Sequence, residues 1–270
     1  MILTGCAAGI GRQLASDLCA RGHQLLLTDI DEAALSEQAE THFNAPGRVE
    51  LAGHDVRDRS SWDALMARAR DRWGRIDVVM NVAGCIFPGW AHEQEANAID
   101  LMIDVNVKGV MFGTIAAARQ MLRQGHGQII NFASLAAVAP IPGIAVYSAS
   151  KHAVRGFSLA VAQELSPHGI AVTTVCPGLV ATRMLDVQLV REEAAVSFAT
   201  APALSVEQVS RVVLGRGLEK RPLELFVTSP WSGQVLMAKL ASMFPALAVR
   251  ATERLMRRGR KAQAKLLPGP

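Results

Sequence analysis

The sequence predicts an α/β protein with a doubly wound parallel sheet, arranged in three layers with helices on both faces. Short apolar runs alternate with helical segments of roughly 10 to 20 residues, and such alternation builds right-handed strand–helix–strand units. Half of the 270 residues are apolar, which is enough for a full core, and no repeat or linker divides the chain. We therefore expect one domain at 1–230, followed by a helical, basic C-terminal extension at 231–270.

The predicted elements follow one another from the first residue. Gly22 ends the first helix, and runs such as 24–29, apolar until a final charge, predict buried strands. The chain after Trp231 predicts an apolar helix, broken near Pro245, and then a basic helix. The predicted strands are 1–3, 24–29, 48–53, 76–80, 128–133, 170–175 and 224–227, and the predicted helices of the body are 10–21, 31–41, 60–73, 96–122, 146–166 and 206–218.

The charges are distributed unevenly along the chain. Residues 1–238 hold 20 basic and 23 acidic side chains, whereas 239–270 hold eight basic and one acidic. The body therefore lacks the basic patch of a protein that binds nucleic acid. An apolar face beside the basic C-terminal cluster suits an anionic membrane surface, although helices packed on the substrate pocket or on a second subunit, followed by a solvated basic end, fit at least as well.

Four cysteines lie far apart with no paired spacing: Cys6, Cys19, Cys85 and Cys176. This spacing argues against a zinc site or a disulfide framework, so we expect no metal and a reducing compartment. A signal-peptide pattern is not expected, because a glycine-rich loop already begins at Thr4. We expect a cytoplasmic protein whose C-terminal region is the candidate for peripheral membrane contact.

The first predicted strand runs directly into TGCAAGIG, residues 4–11, just before a helix. Gly5, Gly9 and Gly11 allow a tight turn and close backbone approach to a dinucleotide pyrophosphate, which the helix N-terminus at Ile10 would attract. The spacing is GxxxGxG rather than the usual GxGxxG, and a plain strand-to-helix turn would need similar glycines.

Asp29 ends the second predicted strand, about 20 residues beyond the glycine loop. A carboxylate at this place accepts hydrogen bonds from the adenosine ribose and repels a 2′-phosphate. Neither Ala8 nor Ile30 supplies the basic partner that such a phosphate needs. We therefore expect NAD rather than NADP as the cofactor, although Asp29 is also placed to cap the helix at 31–41.

Two further segments follow predicted strands. Asp55 and Val56, after the third strand, either face an adenine or form a turn. The sequence NVAG, with Asn81, Ala83 and Gly84, follows the fourth strand, and its small residues suit a backbone lying against a cofactor.

Asn106 lies inside the helix predicted at 96–122. Asparagine is unfavourable there, so it either breaks the helix and frees a backbone carbonyl or is a buried core residue with its hydrogen bonds satisfied. After the sixth strand, Pro177 and Gly178 predict a sharp turn against which a nicotinamide ring would rest. Thr182 either binds the carboxamide of that ring or caps the next helix.

Residues 134–151, SLAAVAPIPGIAVYSASK, contain three side chains suited to proton chemistry. Tyr147, the only tyrosine, lies four residues before Lys151, so both occupy one face of a helix. A nearby ammonium favours phenolate, so we expect the Tyr147 pKa to fall from about 10 towards neutrality, as an acid or base requires. Ser134 ends the fifth strand. The alternative is an incidental helix pair beside a strand-end serine.

In this order and spacing, the motifs resemble the short-chain dehydrogenase/reductase family, in its branch of about 250 residues, over residues 2 to about 227. The resemblance implies a Rossmann fold with strand order 3-2-1-4-5-6-7, a catalytic domain at 1–230, NAD(P)-dependent oxidoreduction, and a homodimer or homotetramer. Two features depart from the family pattern. Almost nothing precedes Thr4 in the first strand, and the usual NNAG is NVAG here.

The resemblance also assigns roles to single residues. Tyr147 matches the general acid/base, and Lys151 matches the residue that lowers its pKa and binds the nicotinamide ribose. Ser134 would orient the substrate oxygen, and Asn106 would hold a water that links Lys151 to solvent. The other matched positions would line the cofactor: Gly5, Gly9 and Gly11 at the pyrophosphate, Asn81, Ala83 and Gly84 at the adenosine, Asp55 and Val56 at the adenine, and Pro177, Gly178 and Thr182 at the nicotinamide.

Three segments are candidates for a substrate pocket: the apolar loops 85–90 and 138–144, and a largely apolar lid at 183–204. Neither loop holds a basic residue that would fix a carboxylate or phosphate, so we expect a hydrophobic secondary alcohol or ketone. An oligomer interface would be equally apolar. The alternative function is a catalytically idle NAD(H)-binding sensor or scaffold. This alternative is disfavoured by the joint presence of four residues, Asn106, Ser134, Tyr147 and Lys151.

Overall fold

The computed structural model describes residues 1–43, 45–230 and 232–267. Within these ranges, seven parallel strands form one sheet in the order β3-β2-β1-β4-β5-β6-β7. The order reverses between β1 and β4, and doubly wound sheets bind ligands at such a switch point, beyond the carboxyl ends of the strands. The strands are β1 Ile2–Thr4, β2 Leu25–Asp29, β3 Val49–Gly53, β4 Val78–Asn81, β5 Gly127–Phe132, β6 Ile170–Pro177 and β7 Glu224–Val227.

Helices cover both faces of the sheet, and two more follow β7. The predicted three-layer Rossmann fold with a C-terminal helical extension is thereby confirmed. The described helices are α1 Gly9–Ala20, α2 Glu32–His42, α3 Arg59–Trp73, α4 Ala96–Ile103, α5 Val110–Gln124, α6 Ala145–Leu165, α7 Arg183–Leu189, α8 Val206–Val212, α9 Gln234–Met243 and α10 Pro245–Ala264.

The core lies in two layers, because side chains alternate between the two faces of each strand. Leu3 and Leu27 pack with Leu14 of α1 on one face, whereas Ile2 and Leu26 pack on the other face, on the side of α3. All five side chains are fully buried. A parallel sheet covered on both faces needs such continuous apolar strands, and this need explains why the strands were visible in the sequence.

The predicted elements of the body are confirmed, and most ends are shifted by no more than two residues, as in β4, predicted at 76–80. The helix predicted at 206–218 consists of α8 and a π-helical part at Val213–Leu218. The lid at 183–204 contains α7 and a 3₁₀-helical part, Glu192–Phe198. Asn106 distorts its helix rather than ending it. The helix from 96 to 124 widens into a π-helical turn at Asp104–Gly109, with Asn106 inside it.

The same helix is, among the described residues, long and apolar enough to cross a bilayer by length and composition. Half of its most apolar window is buried inside the protein, however, and a core helix meets the same criteria. The helix packs against strand β4 and helices α3 and α6 through its α5 half.

The C-terminal helices return to the body and pack on the lid. α10 contacts the 3₁₀-helical part so closely that a Cβ at Gly259 would collide with the Ala195 carbonyl. The Gln263 amide donates hydrogen bonds to the carbonyls of Gln188 (3.1 Å) and Arg191 (3.0 Å). On the opposite side, Gly143 has φ +79° and touches the Glu193 carbonyl, where a Cβ would again collide.

Candidate active site

In the described part of the chain, one cavity of about 1500 Å³ lies at the carboxyl ends of the strands. Its volume exceeds the ~300–1,000 Å³ of an ordinary ligand pocket, so a dinucleotide and a substrate have room side by side. All but two of the sequence-predicted site residues line it: Gly5, Gly9, Ile10, Gly11, Asp29, Asp55, Val56, Ala83, Gly84, Ser134, Tyr147, Lys151, Pro177, Gly178 and Thr182.

The glycine loop has the backbone that a pyrophosphate site requires. Gly5 has φ +72°, and a Cβ there would lie 2.9 Å from the Ala83 Cα, so only glycine fits this approach to the segment after β4. No side chain caps the N-terminus of α1 at Ala8, and its first turn holds no acidic residue. The first N–H groups of α1 are thus left for an anion in the cavity, so these residues fit a dinucleotide.

Asp29 is held rigidly beside this loop. One carboxylate oxygen accepts a hydrogen bond from the Ala7 N–H (2.9 Å) and the other from the Asp31 N–H (3.1 Å). The helix cap is Asp31, whose side chain accepts from the Ala34 N–H (3.0 Å), so the alternative role of Asp29 as the cap is wrong. Remaining lone pairs of Asp29 face the cavity that it lines.

Asp55 forms an ion pair that sequence reasoning missed. Its carboxylate accepts hydrogen bonds from Arg57 Nη2 (2.6 Å) and Nε (2.9 Å), and these bonds hold the Asp55 pKa below its usual value. Arg57 also lines the cavity. The two residues stand two apart in a turn, which was the only signal in the sequence.

Asn81 is one of two predicted site residues that do not line the cavity. Its side chain is buried and donates hydrogen bonds to Asn131 (2.8 Å) on β5 and to Thr114 (3.3 Å) on α5. This amide therefore joins the sheet to the helix layer, and its predicted place at the adenosine is not supported for the side chain.

Tyr147, Ser134 and Lys151 meet in the cavity wall. Ser134 and Tyr147 both line the cavity, and the Lys151 Nζ lies 5.6 Å from the centre of the phenol ring. The Ser134 hydroxyl accepts a hydrogen bond from the Ala136 N–H (3.1 Å). Lys151 is buried, and its ammonium donates to the Phe132 carbonyl at the end of β5 (2.9 Å). Strand β5 and helix α6 thus bring together three groups that are up to 17 positions apart in sequence.

The expected lowering of the Tyr147 pKa is not produced by the protein's own residues. The apolar surroundings of the phenol raise its pKa to about 12, and the nearby Ser134 hydroxyl opposes this rise only in part. Burial also lowers the pKa of Lys151 to about 8. The ammonium therefore loses its proton at a lower pH than the phenol does, and it is absent where the phenol would ionise.

Asn106 is the second predicted residue outside the cavity wall, and its amide is fully used. Its Oδ1 accepts from the Cys85 N–H (2.8 Å), and its Nδ2 donates to the Cys85 carbonyl (2.9 Å) and to Ser150 Oγ (3.1 Å). Ser150 in turn donates to the Tyr147 carbonyl (2.7 Å). This network ties the π-helical turn to helix α6, which carries Tyr147. Sequence reasoning missed Ser150, whose signal was its position three residues after Tyr147.

The substrate side of the cavity is largely apolar. Both predicted loops and the lid line it, through residues such as Ile86, Ile141 and Met184. The Thr182 hydroxyl donates to the Val180 carbonyl (3.4 Å) and does not cap α7. The C-terminal helices supply a further wall, in agreement with the alternative that they pack on the substrate pocket: Met237, Ala238, Ala241, Ser242, Pro245, Ala248, Val249, Thr252 and Leu255.

Comparisons with known proteins agree with this geometry. The family model for short chain dehydrogenases matches residues 1–193. The chain belongs to this family and is an oxidoreductase.

Two relatives and one solved structure are similar to this chain. The chain is 37% identical over 185 residues to the short-chain reductase protein NovJ of Streptomyces niveus, covering 68% of this chain and 70% of that protein. It is 34% identical over 196 residues to 2-(R)-hydroxypropyl-CoM dehydrogenase of Xanthobacter autotrophicus, covering 71% and 78%. A short chain dehydrogenase/reductase from Burkholderia phymatum, solved in complex with NAD, superposes with a TM-score of 0.79 at 26% identity, covering 92% and 94%.

Proposed function

We propose that the protein interconverts a hydrophobic secondary alcohol and its ketone, with NAD as cofactor and Tyr147 as the general acid/base. The observation that carries this proposal is the group of Ser134, Tyr147 and Lys151 in the wall of one cavity whose other end is the glycine loop. A proton-transferring group and a dinucleotide site within one cavity are what hydride transfer to or from an alcohol requires.

In the oxidative direction, Tyr147 as phenolate takes the proton of the substrate hydroxyl. Ser134 donates a hydrogen bond to the same oxygen and stabilises the negative charge that develops there. Lys151, fixed by the Phe132 carbonyl, binds the nicotinamide ribose. An oxidised nicotinamide bound in the cavity would supply the hydride acceptor, and its positive charge would lower the phenol pKa from the raised value of the free protein. Asn106 positions Tyr147 through Ser150.

The preference for NAD rests on Asp29. Its carboxylate is fixed against the glycine loop and would accept hydrogen bonds from the adenosine ribose. A 2′-phosphate would meet this charge with the exposed, apolar Ile30 beside it. The related Burkholderia phymatum protein was solved with NAD.

The proposed substrate class rests on the apolar loops, lid and C-terminal helices around Tyr147. The name of the Xanthobacter relative describes a dehydrogenase of a hydroxypropyl compound. We further propose a cytoplasmic homodimer or homotetramer, as the family resemblance implies.

The test is NADH formation by the purified protein with a panel of hydrophobic secondary alcohols, and NADH consumption with the matching ketones. We expect turnover with kcat/KM at least ~10-fold higher for NAD than for NADP. Tyr147→Phe should lower kcat by roughly 10²- to 10⁴-fold, since it removes the acid/base hydroxyl.

The control is NADH binding, measured by its fluorescence, which Tyr147→Phe should retain. NADH binding without turnover of any substrate in the panel would favour the idle sensor instead. Equal turnover with NADP would contradict the role given to Asp29.

A further inference from the structure

The C-terminal helices carry a row of large apolar side chains on their outer surface. Leu236, Leu240, Met243, Phe244 and Leu247, here called the apolar ridge, are each between 46% and 68% exposed. They lie on α9 and on the first turn of α10, on both sides of the break at Pro245. Exposed apolar residues are normal when scattered singly, but a contiguous group marks an interaction surface.

The apolar ridge borders the mouth of the cavity. Met237 and Val249 lie next to it in sequence, are 45% and 73% exposed, and line the cavity. An apolar molecule that leaves the ridge therefore reaches the cavity over an apolar edge rather than through water.

A basic cluster continues from the ridge along α10. The residues from 239 to the C-terminus hold eight basic side chains and one acidic. The inner face of α10, which includes Ala248, Thr252, Leu255, Gly259 and Gln263, is buried or half-buried. The outer face therefore carries the exposed cations Arg250, Arg254, Arg257, Arg258 and Lys261.

We propose that α9 and α10 dock the protein on an anionic lipid bilayer. The apolar ridge enters the boundary between headgroups and acyl chains, and the basic cluster binds the lipid phosphates. A second copy of the chain is a less suitable occupant, because a two-fold interface through the ridge would bring two clusters of like charge together. The docking itself does not depend on the proposed function. Delivery of a hydrophobic substrate from the bilayer into the cavity does rest on it.

The experiment is co-sedimentation of the full chain with vesicles of phosphatidylcholine, alone or mixed with phosphatidylglycerol. We expect binding to the mixed vesicles, weak binding to the neutral ones, and a decrease at high salt. Phe244→Ser combined with Leu247→Ser should lower the partition coefficient at least ~10-fold, as should Arg254→Glu combined with Arg257→Glu. Neither pair lines the cavity.

The matched control is Leu223→Ser. Leu223 is 50% exposed, but it directly precedes β7. It therefore lies at the amino ends of the strands, whereas the cavity lies at their carboxyl ends. This variant should change vesicle binding by less than ~2-fold. Absence of binding to anionic vesicles at low salt overturns the proposal, and so does binding that survives both double variants. Self-association that Phe244→Ser and Leu247→Ser abolish, without vesicle binding, would assign the ridge to a second copy. Vesicle binding by Tyr147→Phe separates this test from that of the proposed function.

Discussion

Burial shifts the pKa values of Tyr147 and Lys151 in opposite directions. Burial disfavours the charged form of each group, so it raises the Tyr147 pKa to about 12 and lowers the Lys151 pKa to about 8. At neutral pH the free protein therefore holds a neutral phenol beside an ammonium. The neutral phenol is the form that donates a proton to a ketone, whereas removal of a proton from an alcohol requires a further positive charge in the cavity that lowers the phenol pKa.

The raised pKa leads to a prediction about the ionisation of Tyr147 in the free protein. Because Tyr147 is the only tyrosine, the tyrosinate absorbance band reports on it alone. Between pH 10 and 11 the native free protein should show little of this band, since the raised pKa keeps the proton on the phenol, whereas the denatured chain should ionise near 10. Oxidised NAD should move the native curve to lower pH. Tyr147→Phe, which should lack the band, is the control, and coincident native and denatured curves would contradict the prediction.

At the scale of elements, the lid is held from two sides by contacts that only glycine permits. Gly143 and Gly259 both touch carbonyls of its 3₁₀-helical part, and Gln263 bonds two further lid carbonyls. At Gly259 the backbone of α10 therefore packs directly against the backbone of the lid. A methyl group added at Gly143 or at Gly259 must displace the lid.

We expect Gly259→Ala to destabilise the protein by about 1–3 kcal/mol, because its methyl group would collide with the Ala195 carbonyl. It should also raise KM through displacement of the lid. Gly156→Ala is a matched control, since Gly156 lies exposed in α6 with nothing within 4 Å of an added Cβ. There alanine should stabilise by about 0.5–1 kcal/mol through helix propensity. Urea unfolding measures the change in the free energy of unfolding for each variant. If Gly259→Ala and Gly156→Ala change it in the same direction, the packing argument is refuted.

At the scale of the whole molecule, we propose that residues 1–230 form the catalytic domain and that the extension from 231 closes the substrate side. The sheet is complete at β7, and both the glycine loop and the catalytic group belong to the first part. The helices α9 and α10 add apolar cavity wall but none of the predicted cofactor contacts.

A chain ending at residue 230 tests this division. We expect it to keep NADH binding, because the predicted cofactor residues all remain, and to lose at least ~10-fold in kcat/KM for hydrophobic substrates that contact the missing wall. Circular dichroism checks that the truncated chain is folded. A folded truncated chain with unchanged kcat/KM would mean that α9 and α10 do not contribute to the substrate site.

The local patterns of the chain were sufficient to predict the parallel sheet, its helices and most of the proposed site residues. Apolar strands, the glycines of the TGCAAGIG loop and Asp29 at a strand end are each specified by neighbouring residues. In a parallel doubly wound sheet, the carboxyl ends of the strands meet at one edge, so Gly5, Asp29 and Ser134 could be assigned to one site. Tyr147 followed from its spacing to Lys151, and the strand order followed from the resemblance to the family.

Only the tertiary structure decided the remaining features. The direction in which Asn81 points, the pairing of Arg57 with Asp55 and the network from Asn106 to Ser150 depend on distances between separate elements. The raised pKa of Tyr147 depends on how completely the phenol is buried among apolar residues. The spacing between Tyr147 and Lys151 contains no information about this burial. The packing of α10 on the lid likewise depends on a backbone contact at Gly259. Patterns along a chain specify local conformation, whereas burial and charge coupling arise only between elements that folding brings together.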